Sequence, residues 1–189
     1  MARLILASSS PRRKELLAQV GIVPDVIELS DVDETRYDNE EPRHYVLRVA
    51  KAKAIAISEK NKSDLILAAD TIVVCGGKVL AKAESNIDVE KYLNKLSGRQ
   101  HTVMTSVCVV VPLGKILTKI VTTKVKFKRL SKIEIKEYLK SGEGIGKAGG
   151  YAIQGIAGSF VKNINGSYSA VVGLPLYETI SMLRSSNDI

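Results

Sequence analysis

One apolar run, residues 64–75, constrains the fold of this chain more than any other segment. After its first residue the run carries a single charged side chain, Asp70, which is followed by Thr71. A short apolar run of this kind predicts a buried β-strand. A carboxylate inside such a strand is costly to bury unless it is paired. Asp70 is therefore either a structural ion-pair partner or a functional residue, and its own strand does not decide between the two.

The remaining segments alternate between strand and helix patterns. Leu4–Ala7 predicts a buried strand, after which Ser10 suits the N-cap and Pro11 the first position of a helix. Ser131 and Glu134 have the spacing of a capping box at the start of a later helix. Further helices are predicted over residues 42–59, 86–96, 131–140 and 169–183, and strands over 23–29, 79–80, 101–111 and 115–127. This order, which includes a long antiparallel hairpin, predicts the α/β class with a mixed sheet.

The composition permits a real core and narrows the choice of partners. At 189 residues and 45% hydrophobic content, the chain suits one domain or two small lobes. A net charge of +8 favours phosphates, nucleic acid or anionic lipid, although plain solubility would also explain it. No run of about 18 apolar residues predicts a membrane span, and the first residues lack the pattern of a signal peptide.

The cysteines and histidines argue against a zinc site. Cys75 and Cys108, like His44 and His101, are far apart in sequence and lack the spacing of a ligand set. Both cysteines lie in apolar, strand-like runs, which predicts buried free thiols. We therefore expect no disulfide framework and a reducing, cytoplasmic location.

The segment Ser8–Lys14 predicts a phosphate site. A strand that leads into the N-terminus of a helix exposes free N–H groups and the positive end of the helix dipole. Arg12, Arg13 and Lys14 fall in the first turn, where positive charge opposes that dipole. A bound polyanion would reverse the sign of this cost, whereas the alternative is a solvated basic turn. Beside such a site, Asp70 becomes the leading metal ligand or general base.

Three weaker candidates accompany this segment. Lys53 lies in the long predicted helix and Lys82 lies between alanines, so each could approach a ligand closely. Taken alone, each is more typical of a surface lysine. The acidic loop Asp31–Glu34 could supply carboxylate oxygens to Mg²⁺, although by itself it is more simply interpreted as a solvated loop.

The glycine-rich segment Gly142–Gly150 resembles a Walker A loop only superficially. Ser141 stands where the first glycine should be, and Ala148 follows Lys147 where serine or threonine is required. The segment also follows a predicted helix rather than a strand. We interpret it as a flexible loop that lets the backbone approach a ligand.

Together these segments resemble the Maf family of nucleotide pyrophosphatases. The resemblance implies a single Maf-like domain over residues 1–189. It also implies a Maf/inosine-triphosphatase-like α/β fold, with two lobes, a central mixed twisted sheet and a deep cleft. The matching stretches occur in family order over nearly the whole chain: Leu6–Arg13 with Glu15–Leu17, Ala69–Thr71, Lys82–Ala83 with Asp88, Leu96–Arg99 with His101, Lys147–Gly155 and Val171–Pro175.

The resemblance implies hydrolysis of a nucleoside triphosphate to the monophosphate and pyrophosphate, with Mg²⁺ or Mn²⁺. Asp70 would be the proton acceptor, and Glu34 and Asp70 the metal ligands. The nucleotide would be the main partner, with no requirement for nucleic acid or a membrane, and a homodimer would be in keeping with the family. The implied phosphate ligands are Ser8, Arg13, Lys53 and Lys82.

Three positions favour the branch of the family that acts on dTTP and UTP. Arg12, Thr71 and Gln154 stand where the branch that resembles a methylated-guanosine triphosphatase typically has an aromatic residue, glutamine and glutamate. A 7-methyl-GTP pyrophosphatase is therefore the first alternative. The second is a basic nucleic-acid-binding or regulatory module linked to cell division. Single-strand binders stack bases on aromatic side chains, and this chain is only 5% aromatic with no tryptophan.

Overall fold

The computed structural model describes residues 2–185, which form a mixed sheet with helices packed on it. The strands are β1 (Leu4–Leu6), β2 (Val26–Ile27), β3 (Leu65–Cys75), β4 (Lys78–Leu80), β5 (Gln100–Val110), β6 (Ile116–Phe127) and β7 (Val161–Asn165). The helices are α1 (Pro11–Gln19), α2 (Pro42–Ser58), α3 (Asn86–Leu96), α4 (Lys132–Ser141), α5 (Tyr168–Val172) and α6 (Leu176–Ser185), with short 3-10 turns at Pro112–Gly114 and Ile156–Phe160.

The sheet contains both parallel and antiparallel pairs. Its strand order is β2-β1-β3-β5-β6-β7, and β4 pairs with β3 outside this path. The short strand β1 lies parallel to both β2 and β3, whereas β4 and β7 lie antiparallel to β3 and β6. The predicted α/β class with a mixed sheet is confirmed.

The chain forms two compact units. The first contains the residues up to Asp70, then Thr105–Val121 and the residues from Gly173 onward. The second contains Thr71–Met104 and Thr122–Val172. The single domain and the deep cleft that the resemblance implies stay predictions.

The core of the first unit lies between α2 and strands β1, β3 and β5. The apolar face of α2 follows helical spacing, as predicted, and its small residues Ala50 and Ala54 allow close approach to the sheet. Cys108 is buried in the same cluster, where burial raises the pKa of its thiol to about 12. Both cysteines are buried free thiols, which confirms that prediction.

The core of the second unit is a group of rings. His101, Phe127 and Tyr151 meet edge to face with centroids 4.9–5.4 Å apart, and Phe160 joins Phe127 to Tyr138. The Nε2 atom of His101 lies 2.8 Å from the Tyr151 hydroxyl. Burial lowers the pKa of His101 to about 4, so the ring is neutral in the folded protein near pH 7.

Most predicted elements are confirmed, and the exceptions have local causes. The strand expected over residues 23–29 contains only Val26–Ile27, because Pro24 has no N–H to donate to a strand partner. The last predicted helix is two helices, because Gly173 adopts φ 134° and Pro175 follows. The capping box of Ser131 and Glu134 is present, and Ser85 with Asp88 forms another that was not predicted.

Within residues 2–185 no helix combines the length and the apolar character that crossing a membrane requires.

The buried His101 should make the protein sensitive to mild acid. An unfolded histidine takes up a proton near pH 6.5, whereas folded His101 resists protonation down to about pH 4. The free energy of unfolding should therefore fall as pH drops between these values. Between pH 7 and pH 4.5, the free energy of unfolding of the wild type should fall by about 2–3 kcal/mol more than that of His101→Gln.

Urea unfolding at the two pH values measures this difference. His44→Gln is the matched control because His44 is exposed, and it should lose stability as the wild type does. If His101→Gln lost as much stability on acidification as His44→Gln, His101 would not be the source of the acid sensitivity.

Candidate active site

The ammonium group of Lys53 lies between two carboxylates. Its Nζ is 2.9 Å from Oδ1 of Asp70 and 2.8 Å from Oε1 of Glu34. Lys53 is 7% exposed and Asp70 is 4% exposed, whereas 36% of the Glu34 side chain remains accessible. Because an unpaired buried charge is strongly unfavourable, the contact between Lys53 and Asp70 gives each buried side chain a partner of opposite sign.

The position of Lys53 follows from the packing of α2. Ala50, Lys53, Ala54 and Ile57 recur at helical spacing and are all buried. The contact that places the two alanines and Ile57 against the sheet therefore also carries the ammonium group to Asp70 on β3. The family resemblance implies that Lys53 is a phosphate ligand. The structure shows that Lys53 also has two carboxylate partners.

Arg13 and Ser8 form a second contact in the same unit. The Nη1 atom of Arg13 donates to Oγ of Ser8 at 2.8 Å, and its Nε donates to the carbonyl oxygen of Gly173 at 2.9 Å. Burial lowers the pKa of Arg13 and the charge of Arg12 acts in the same direction, while the Asp70 carboxylate opposes the change. A guanidinium group nevertheless stays protonated in proteins, so Arg13 is a fixed cation in the field of Asp70.

The start of α1 differs from a purely structural helix end. Ser10 occupies the N-cap and Pro11 the first helical position, as predicted, but the Ser10 side chain makes no capping hydrogen bond. Instead the hydroxyl of Ser8 accepts from the Ser10 N–H at 3.2 Å. The first turn contains no acidic residue and carries Arg12 and Arg13. This arrangement suits a bound anion.

Thr71, Lys82 and Gln154 belong to the second unit. Thr71 is half-buried on β3 directly after Asp70, and Lys82 is exposed and pairs with Ala148 through an antiparallel bridge. The Ala83 N–H donates to the Lys147 carbonyl at 3.1 Å, and the Gly146 N–H donates to the Ala83 carbonyl at 2.8 Å. The glycine-rich segment is thus a loop, as predicted, and these two bonds connect its backbone to Ala83.

The turn that carries Gln154 is held by side chains of the second unit. The Ala152 N–H donates to the Tyr138 hydroxyl at 3.0 Å, and the Ile156 N–H donates to Oε2 of Glu143 at 2.9 Å. Between these two anchors Gln154 is exposed. Its side chain is therefore presented on a fixed backbone.

Sequence reasoning missed several groups around Glu34 and Arg13. The Gly173 carbonyl fixes Arg13, and the Tyr45 hydroxyl donates to the Glu34 carbonyl oxygen at 2.9 Å. Tyr45 precedes Lys53 on α2 by two successive i+4 steps, which place both side chains on the same face of the helix. This spacing is the sequence signal that could have pointed to Tyr45.

Glu34 and Asp70 are the predicted ligands of a divalent cation, and their carboxylates are oxygen donors of the type that Mg²⁺ takes. Across residues 2–185, no group of three or more His, Cys, Asp or Glu side chains gathers as a complete metal site. Two carboxylates meet at Lys53 instead, with both oxygens within 2.9 Å of one cationic nitrogen. Mg²⁺ is usually held by one or two carboxylates together with substrate phosphates, so an incomplete protein set suits it.

Comparison with known proteins decides the family. The sequence profile of the Maf-like protein family matches residues 3–186. The chain belongs to the Maf-like protein family. The resemblance carried by the ordered motifs is thereby confirmed.

Relatives of this Maf-like chain share about half of its residues over almost its full length. A protein of Hyphomonas neptunium is 53% identical over 183 residues, covering 97% of this chain and 95% of the relative. One of Caulobacter vibrioides is 51% identical over 180 residues, covering 95% and 93%. Both are named dTTP/UTP pyrophosphatase. A solved Ham1 protein of Staphylococcus aureus has a TM-score of 0.45 and 17% identity, covering 66% of this chain and 71% of that one.

Removing the ammonium group should destabilise this Maf-like protein. In Lys53→Met, Asp70 would be buried without its counter-ion and close to a second carboxylate. Breaking a buried pair in this way typically costs about 3–5 kcal/mol near neutral pH.

Chemical denaturation at pH 8 tests this expectation. Lys51→Met is the matched control, because Lys51 is half-buried on the same helix. Equal losses for the two variants at pH 8 would mean that the contacts of Lys53 contribute nothing specific to stability.

Proposed function

We propose that this chain hydrolyses dTTP and UTP to the nucleoside monophosphate and pyrophosphate. The observation that carries the proposal is the cluster of buried Lys53 and Asp70 with the partly exposed Glu34, in the unit that also holds the basic start of α1. Cations are available to hold a polyphosphate, and carboxylates are available to accept a proton and to bind a metal. Relatives at 51–53% identity that are named dTTP/UTP pyrophosphatase support the same activity.

In this proposal Ser8, Arg13, Lys53 and Lys82 bind the phosphates. Arg13 has five N–H donors, of which Nε and one on Nη1 are engaged by Gly173 and Ser8. Lys53 has three donors and two carboxylate partners. Both side chains therefore keep N–H groups for phosphate oxygens while their positions are fixed by the protein.

Asp70 is the proposed proton acceptor. Lys53 engages its Oδ1, which leaves Oδ2 to take a proton from a water molecule. The oxygen of that water bonds to the α-phosphorus, the bond from this phosphorus to the bridging oxygen breaks, and pyrophosphate leaves. A positioned general base typically contributes a factor of about 10²–10⁴ to such a step.

We place the divalent cation, Mg²⁺ or Mn²⁺, on Glu34 and Asp70. When bound it would offset the negative charge of the phosphates. Lys53 and Arg13 supply fixed positive charge around the same carboxylates, so the site keeps its shape before a nucleotide arrives.

Arg12, Thr71 and Gln154 are the proposed contacts of the base. Uracil and thymine present an N3–H donor flanked by two carbonyl acceptors. A glutamine amide both accepts and donates, so Gln154 can pair with that edge. Arg12 can donate to a carbonyl, and the Thr71 hydroxyl can do either.

The alternatives have less support. No contact in the described residues favours 7-methyl-GTP, and a nucleic-acid-binding or regulatory module would leave the cluster at Lys53 without a role. The homodimer, the cytoplasmic location and the independence from nucleic acid and membranes stay predictions.

A substrate panel tests the activity. Wild-type protein with Mg²⁺ or Mn²⁺ should release pyrophosphate from UTP and dTTP faster than from CTP, GTP or 7-methyl-GTP, and excess chelator should stop the release. Asp70→Asn should lower kcat by about 10²–10⁴-fold while still binding nucleotide. Glu90→Gln, at an exposed position of α3, is the control. Near-normal turnover by folded Asp70→Asn would remove Asp70 from the mechanism.

The base preference should depend on Gln154. Glutamate would only accept hydrogen bonds, so Gln154→Glu should lower kcat/KM for UTP and dTTP and narrow their advantage over 7-methyl-GTP. A polar contact of this kind discriminates by about 5–150-fold. Gln19→Glu makes the same chemical change at an exposed position of α1 and should leave the ranking unchanged. An unchanged ranking in Gln154→Glu would contradict the assignment.

A further inference from the structure

The segment that carries Glu34, residues 33–40, is attached to α2 by one arginine. Arg48 forms a two-pronged ion pair with Glu40, with Nε at 2.7 Å from Oε1 and Nη2 at 2.9 Å from Oε2. The Glu40 side chain is only 11% exposed, and its hydrogen bonds to Arg48 lower the pKa of this carboxyl group. Fork geometry of this kind fixes direction as well as distance.

The same guanidinium group holds the other end of the segment. Its Nη2 also donates to the carbonyl oxygen of Thr35 at 2.8 Å. Its central carbon lies 3.9 Å from the centroid of the Tyr37 ring, within the range of a cation–π contact. Arg48 thus contacts the residue directly after Glu34 and the residue that ends the segment.

Tyr45 supplies a second contact one turn earlier on α2. Its hydroxyl donates to the carbonyl oxygen of Glu34 at 2.9 Å. Burial raises the pKa of this hydroxyl, and the carboxylates of Asp70 and Glu34 raise it further.

These contacts matter because Glu34 lies in a stretch without helix or strand. Its backbone has no ladder of hydrogen bonds to define its position, and fixing such a stretch in one conformation costs conformational entropy. Two consecutive carbonyls, those of Glu34 and Thr35, are instead bound by side chains of α2, the helix that also carries Lys53.

We propose that Arg48 and Tyr45 are positioning residues that hold Glu34 in place for the divalent cation. The inference rests on the proposed metal role of Glu34. Neither residue touches the cation or the nucleotide in this proposal, and both act through the backbone of Glu34. A purely structural role would instead alter stability without altering affinity for the cation.

The test measures Mn²⁺ binding without turnover. Paramagnetic resonance gives the Kd of Mn²⁺ for the whole protein in the presence of a UTP analogue with a non-hydrolysable α–β bridge. Arg48→Lys keeps the charge but loses the fork, and Tyr45→Phe loses only the hydroxyl. Each substitution should raise the Kd of Mn²⁺ about 10-fold, which is the lower end of the range for residues that orient a metal ligand. At saturating Mn²⁺, kcat should return close to the wild-type value.

Two exposed residues provide matched controls. Arg43→Lys makes the same change in the first turn of α2, and Tyr177→Phe removes a hydroxyl from a tyrosine that is 80% exposed. Neither should change the Kd of Mn²⁺. Tyr45→Phe keeps the test decisive if Arg48→Lys fails to fold, because it removes one atom.

Combination with Glu34→Gln separates the two proposals. If Glu34→Gln leaves the Kd unchanged, the metal role of Glu34 fails and the positioning role falls with it. If Glu34→Gln raises the Kd but Arg48→Lys and Tyr45→Phe behave like their controls, only the positioning role is overturned. Support requires that each substitution weakens Mn²⁺ binding alone and adds nothing in the Glu34→Gln background. Additive losses of Mn²⁺ affinity would also overturn the positioning role.

Discussion

The negative charge of Asp70 sits inside a sheet strand and has to be balanced there. Lys53 provides the balance, and it can do so because Ala50 and Ala54 let α2 lie close to the sheet. The same ammonium group binds Glu34, whose segment is in turn attached to α2 through Arg48 and Tyr45. The buried ammonium group of Lys53 therefore links the strand, the helix and an irregular segment. A substitution in any one of these three elements should alter the contacts of the other two.

The sequence predicted the parts of this arrangement but not their contacts. A lone carboxylate in an apolar strand pointed to Asp70, and the alternatives of ion pair and function prove to be compatible, since the ion pair lies at the candidate site. The pairing with Glu34 was beyond sequence reasoning, because it depends on the path of a segment that has neither helical nor strand periodicity. Arg48 was passed over for a related reason: a charged residue on a helix usually faces solvent.

The fold shows the same division between local and distant causes. The helices over 42–58 and 86–96 were predictable from periodicity and from their first residues, and they agree within one residue. The strand β7 was missed because its polar sequence, Val161–Asn165, becomes a strand only by pairing with β6. Likewise, the sequence marked Ser10 as the N-cap but gave no contact for Ser8. Ser8 becomes the partner of Arg13 only because the chain turns there toward the Gly173 carbonyl.

The turn that carries Gln154 has a consequence for how this protein can evolve. A Cβ atom at Gly155 would lie 2.1 Å from Oε2 of Glu143, the oxygen that receives the Ile156 N–H. Any side chain at this position must displace that carboxylate, and the Ile156 N–H then loses its acceptor. A side chain at Gly155 would therefore remove one anchor of the turn, whereas a change at the exposed Gln154 leaves both anchors in place. Sequence change in this turn should accordingly accumulate at residue 154 before residue 155.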